Sequence, residues 1–290
     1  MRQIRGMYFS GTGTTEKIVK HIAEQLARTL GNTDYAKAED IDFTPAEARQ
    51  QIYKFEAKDI VVFGVPVIAG RVPNVLLKFL DTLDGGNAMA IPIVLFGNRD
   101  YDDALVELRN ILEAKGFHTI AGGAFSGEHS FSKVLAAGRP DDDDMYKASC
   151  FAEAIAQKIR MLVGSSAGDD VKLQKVLEMA GPIEVKGEEP VRKYYQPRDR
   201  KGETINILKV KPKLDETKCT GCMICVDACP MGSIKPEAPG IVSGICIKCC
   251  GCEKKCPEGA LYFDDPGYIY HKEELEFMYA GVRKEPECFI

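Results

Sequence analysis

The sequence predicts an α/β chain: a doubly wound parallel sheet, then a small cysteine-rich domain. Two observations carry this. Over residues 1–165, apolar runs of strand length alternate with segments of helical period, the pattern of βαβ units around a parallel sheet. Of the eleven cysteines, residues 1–218 hold one, Cys150, and residues 219–256 hold nine. That break is the sharpest boundary in the chain. It divides residues 1–165 and a connector, 166–212, from the cysteine domain, 213–265, and a C-terminal extension, 266–290.

In the first domain, IRGMYF (4–9) reads as a strand that runs into SGTGTTEK. The helix that follows has apolar residues at 18, 19, 22, 23, 26 and 30 and stops at Gly31. DIVVFGVPVIAGRVP (59–73) is a buried strand with a turn-rich loop, and 74–83 is a helix. Residues 91–116 give strand, loop and helix again, and HTIAGGAF (118–125) a further strand. The loops 10–15, 65–71 and 97–101 therefore follow three strands at their carboxyl ends, where ligands bind in such sheets. A run of acids, Asp141 to Asp144, precedes a helix. It suits an N-cap and the helix dipole better than a metal. Cys150 falls among that helix's apolar positions and is expected in the core.

The loop at 10–15 offers N–H groups and hydroxyls at a helix N-terminus, a site for phosphate. A Walker A motif lacks its lysine here, and a dinucleotide fingerprint lacks its third glycine. What remains is S-x-T-G-x-T: Ser10, Thr12, Gly13 and Thr15, with Gly11 and Thr14 between. A plain Gly/Thr turn is the alternative reading. This loop resembles the flavodoxin loop that cradles the phosphate of FMN, and the resemblance extends over residues 1–165. Thr14 stands where that family usually has Asn. Gly64, Pro66, Gly70 and Pro73 match the family's second loop, with Ile68 in place of its aromatic. The resemblance implies that Pro66, Val67, Ile68, Ala69 and Gly70 flank the flavin ring, and that backbone groups of Gly97, Asn98 and Arg99 face its edge. Tyr101 becomes the stacking aromatic, with ordinary packing as its alternative. Glu128 and His129 follow the last strand, placed either to approach the flavin or to cap a loop.

In the cysteine domain, Cys219, Cys222, Cys225 and Cys229 have the spacing C-x2-C-x2-C-x3-C-P. Cys246, Cys249, Cys252 and Cys256 repeat it 27 residues later, each run ending in proline. Structural zinc favours two C-x2-C pairs instead. The runs resemble those of bacterial two-cluster 4Fe–4S ferredoxins, over residues 213–265, which implies a small α+β domain holding two cubanes. In those proteins the fourth cysteine of each run ligates the other cluster. The resemblance thus implies one set of Cys219, Cys222, Cys225 and Cys256, and a second of Cys246, Cys249, Cys252 and Cys229. Cys250 lies outside the pattern and reads as a packing residue, with cluster exchange or redox sensing as alternatives.

Composition narrows the function. A chain of 290 residues with 45% apolar content suits two folded domains. Net charge is −5, which makes no case for nucleic acid. No run of eighteen apolar residues exists to cross a membrane. The opening residues lack a signal-peptide core, and ECFI is not a prenylation box. The expected location is the cytoplasm, where cysteine clusters point to metal rather than disulfides. Residues 186–213 carry nine Lys/Arg against four Asp/Glu. They read as a solvated or packed connector, or as a docking face for an acidic redox partner. No feature of the sequence sets an oligomeric state.

The order of parts resembles flavodoxin–ferredoxin fusion proteins of the EFR family of ferredoxins. That implies FMN, two 4Fe–4S clusters, redox partner proteins and a role in electron transfer. FMN takes electrons in pairs or singly, and each cubane passes one. The rival expectation is an FMN enzyme reducing a small substrate, supplied by the clusters. A pocket above the flavin lined by Ile68, Tyr101 and His129 would favour it. A redox sensor ranks last, since no output domain is visible. No nicotinamide fingerprint exists.

Overall fold

The computed structural model describes residues 3–31, 38–166 and 169–290. Strands β1 (Ile4–Tyr8), β2 (Glu39–Asp42), β3 (Ile60–Pro66) and β4 (Met89–Phe96) alternate with helices α1 (Thr14–Leu30), α2 (Asn74–Leu80) and α3 (Ala104–Ala114). A broken fifth strand, β5 (His118–Thr119) and β6 (Gly122–Ser126), lies parallel on β4. Parallel pairing runs β2-β1-β3-β4-β6, the doubly wound order that reverses between β1 and β3.

β3 and β4 are near-continuous apolar runs because both faces of the sheet are covered. Met89, Ile91, Ile93 and Leu95 pack with Ile18, Ile22, Leu26 and Phe151 on one side. Ala90, Val94 and Phe96 pack with Leu76, Phe79, Leu105 and Leu108 on the other. Helix α4 (Asp142–Ser165) opens on an Asp141 N-cap, with Asp144 completing a capping box, as the acid run suggested. Cys150 is exposed, not in the core. The helix turns Phe151, Ile155 and Ile159 inward, one step out of phase with it.

The expected connector is not a free strap. Its first part forms helix α5 (Asp170–Ala180), whose Leu173 and Leu177 enter the sheet's core. Farther on, Arg192 binds the buried Asp103, Lys186 meets Glu287, and Arg200 meets Glu274. Three cations of the basic run are thus engaged in ion pairs within the molecule, although their side chains stay about half exposed or more. The cysteine domain consists of β7 (Lys213–Leu214), α6 (Ile224–Asp227), β8 (Ile234–Lys235), β9 (Ala238–Val242), α7 (Gly251–Lys254) and β10 (Leu261–Tyr262). After it come helix α8 (Pro266–Tyr279) and β11 (Glu287–Phe289). β11 pairs antiparallel with β6, so the chain's end closes the edge of the first sheet.

Candidate functional site

Gly13 starts α1 in the left-handed region (φ 97°), which glycine reaches without strain, and its carbonyl accepts the helix's first bond, from Lys17. The first turn of this 17-residue helix therefore presents N–H groups at the carboxyl ends of β1 and β3. Gly11, Thr12, Thr14 and Thr15 line a cavity of about 580 Å³ there. Ser10 does not reach it. Its hydroxyl accepts from the Gly13 N–H (3.1 Å), so it shapes the loop from behind.

The second loop enters the same cavity with Pro66, Val67, Ile68, Ala69 and Gly70. Ile68 and Arg71 exchange backbone hydrogen bonds (3.0 and 3.1 Å) across a turn whose Ala69 and Gly70 both have positive φ. Arg71 grips Glu107 through two nitrogens (2.7 and 2.6 Å). From the third loop, Gly97 and Arg99 line the cavity, but Asn98 and Tyr101 do not. The Asn98 amide turns away and donates to the carbonyls of Tyr279 and Val282. Tyr101 is 1% exposed, packs on Phe96 and gives its hydroxyl to Glu287 (2.8 Å). It is thus a core residue and not the stacking aromatic.

The aromatic wall comes from places the sequence reading missed. Tyr195, in the connector, lines the cavity with its N–H on the Ala69 carbonyl (2.8 Å) and the Arg99 guanidinium 4.6 Å from its ring centre. His271 of α8 stacks against Tyr195, and Phe131 lies edge-on to His271. Glu128 and His129 also line the cavity. Burial pushes the Glu128 carboxyl up, but the Lys254 ammonium and the Gly138 N–H outweigh it and hold the group below its ordinary value.

Ile245, Cys246, Ile247, Lys248 and Cys249 complete the wall. A Cβ on Gly11 would stand 2.9 Å from the Cys249 Cβ, and one on Gly251 would stand 2.6 Å from the Gly11 carbonyl. The first loop and the second cysteine run touch backbone to backbone. Lys254 joins them further, donating to Glu128, to the His129 carbonyl (2.7 Å) and to the Ser132 carbonyl (3.1 Å).

Within the cysteine domain the sequence repeat is also a structural one. Met223 and Cys250, 27 residues apart, both have left-handed φ (66° and 56°) and each starts a four-residue helix, α6 or α7. Ser233 donates its N–H to the Cys229 sulfur (3.3 Å), and Ala260 does the same to Cys256 (3.4 Å). Cys219, Cys222, Cys225 and Cys256 surround one cavity of about 20 Å³. The others form a second group: burial pushes the Cys252 thiol up to about 12, and charge on Cys249, Cys246 and Cys229 adds to it. Among the described residues, no three His, Cys, Asp or Glu side chains close on the point a single metal ion would take. Cys250 is 2% exposed, with its sulfur 3.5 Å from the Tyr268 hydroxyl.

The flavodoxin family model matches residues 7–150, and the 4Fe-4S binding domain model matches residues 212–235, which span the first cysteine run. Among solved structures the chain is similar to a flavodoxin from the domain Archaea (15% identity, TM-score 0.38, covering 55% of this chain and 99% of that one). It is likewise similar to a Streptococcus pneumoniae flavodoxin (19%, 0.37, 54% and 99%) and to flavodoxin 2 of Bacillus cereus (20%, 0.37, 55% and 99%). No curated protein matches. Among the described residues, no helix is long and apolar enough to cross a membrane. A flavodoxin domain brings FMN, and a 4Fe–4S binding domain brings iron–sulfur chemistry. A flavodoxin domain followed by a 4Fe–4S binding domain fits a flavodoxin–ferredoxin fusion, and the two domains support a role in electron transport.

Proposed function

We propose that the chain relays electrons between one FMN and two 4Fe–4S clusters, in the order flavin, inner cluster, outer cluster, partner protein. The inner site is Cys229, Cys246, Cys249 and Cys252; the outer is Cys219, Cys222, Cys225 and Cys256. One observation carries the reading: the wall that holds the flavodoxin loops also holds Cys246 and Cys249. The outer site's cavity contains no residue of the flavodoxin domain, and Cys222 is exposed. In this reading the α1 N-terminus with Gly11, Thr12, Gly13, Thr14 and Thr15 holds the phosphate. Pro66–Gly70, Gly97 and Arg99 flank the ring, and Tyr195 covers it. Bound there, FMN would supply the exchange between paired and single electrons.

The test is a count. Anaerobic preparation should give about eight irons, from two four-iron cores, and about one FMN per chain. About four irons, or no flavin, would overturn the reading. A second reading, reduction of a small substrate at the flavin, draws support from the cavity's extent past Ile68 and His129 to Tyr195, Asn206 and Leu275. Flavin reoxidation by a small acceptor that persists after the clusters are removed by mutation would favour it. Loss of reoxidation would favour the relay.

A further inference from the structure

We propose that His129 is a hydrogen-bond donor to the bound flavin, supplied by the loop after β6 and held in place by the cluster domain. The proposal rests on the FMN reading. The His129 ring lines the flavin cavity beside Gly97. Its Nδ1 accepts the Phe131 N–H (3.1 Å), which places the proton of the neutral ring on Nε2. Burial, with the Lys254 ammonium nearby, holds the ring's pKa down to about 3, so the ring is neutral at ordinary pH. Nε2 has no hydrogen-bond partner among the described residues, although the backbone on either side is tied down. The His129 N–H donates to the Leu135 carbonyl, and the His129 carbonyl accepts from Lys254 and from the Ser132 N–H.

Gly97 is shaped for this ring. A Cβ at Gly97 would lie 2.3 Å from the His129 Cδ2, the atom bonded to Nε2. The donor therefore emerges where the third loop meets the cavity. A flavin ring there presents nitrogen and oxygen acceptors along its polar edge, to which an N–H that faces the cavity without a protein partner can donate. A donor at that edge favours the reduced ring, where negative charge gathers on those atoms. Because Lys254 of α7 fixes the His129 carbonyl, docking of the cluster domain sets where the donor points.

The test compares His129→Leu with His129→Gln, which keeps an N–H donor. FMN-depleted, iron-loaded chain is titrated with FMN by fluorescence quenching, and the flavin midpoint potential is measured. His129→Leu should bind FMN roughly tenfold more weakly, the scale of one lost hydrogen bond, with a lower potential. His129→Gln should recover most of both. Wild-type affinity and potential in His129→Leu, or equal losses in both variants, would overturn the proposal, the second by showing a packing role. If the unaltered chain takes up no FMN, the flavin reading itself fails, a result distinct from either.

Discussion

The two halves of the cysteine domain share spacing, left-handed helix starts and N–H···S bonds, yet face different neighbours. In the first half, Met223 and Ile224 begin α6, each 39% exposed. At the matching positions of the second half stand Cys250 and Gly251, both buried. Gly251 lies against the Gly11 carbonyl, where a side chain would collide. Cysteine spacing is thus common to both halves, while the outward residues decide which half meets the flavodoxin domain and which meets solvent. Cys250 occupies the position that Met223 holds in the other copy, which in the proposed relay leaves it outside both ligand sets.

The largest expected contrast is between Cys249→Ala and Cys222→Ala. Each should keep about four irons, from one remaining cubane. Cys249→Ala should also weaken FMN binding, roughly tenfold or more, since its loop forms part of the cavity. Cys222→Ala should leave FMN affinity unchanged. Iron analysis and FMN titration read both. Equal FMN affinity in the two would erase the distinction between the sites.

Next in size is Gly11→Val. The new side chain forces apart the first loop and the Cys249 loop, an overpacking cost of about 1–3 kcal/mol. A lower midpoint in chemical denaturation is expected, together with slower electron exchange between flavin and clusters. An unchanged exchange rate would mean that the contact does not set the distance.

Lys254→Met should loosen the docking of the cluster domain and, through the His129 carbonyl, the flavin donor. It leaves the Glu128 carboxylate and two carbonyls without their ammonium, at a cost of about 1–3 kcal/mol. The pH dependence has a definite sign. The Glu128 carboxyl is depressed in the folded protein. Its contribution is therefore present above the unfolded value of about 4.3 and is lost as pH falls through the folded value. Stability measured from pH 7 down to pH 3 should drop less steeply in Lys254→Met than in the unaltered chain. Parallel curves would remove Glu128 from the account.

Cys250→Ser should be the mildest change. It keeps a hydrogen-bonding atom near Tyr268 and costs about 1 kcal/mol, with iron content intact. Loss of iron would make Cys250 a ligand after all.

Much of this was legible in the sequence because it depends on local pattern. Period-two and helical runs mark a sheet covered on both faces, and the cysteine spacing marks the cluster loops. The cavity's far wall was not legible. Tyr195 sits in a stretch dominated by charge, with no period to give its direction. Phe131 comes from the loop after β6, beside Glu128 and His129, whereas His271 reaches the site only because α8 folds back over the first domain. Tyr101 misled for the same reason: its hydroxyl is claimed by Glu287 on β11, a three-residue strand too short to read. Cys150 misled because its apolar character placed it on the helix's inner face, while its position turns it out.

The order of electron flow is tested most directly by injecting single electrons into the clusters with a laser flash and following the flavin absorbance. The account predicts that Cys222→Ala, with the inner site intact, still passes electrons to the flavin at close to the unaltered rate. It predicts that Cys249→Ala slows this step by at least roughly tenfold, the scale of one lost relay centre. Equal rates in the two variants, or the faster rate in Cys249→Ala, would contradict it.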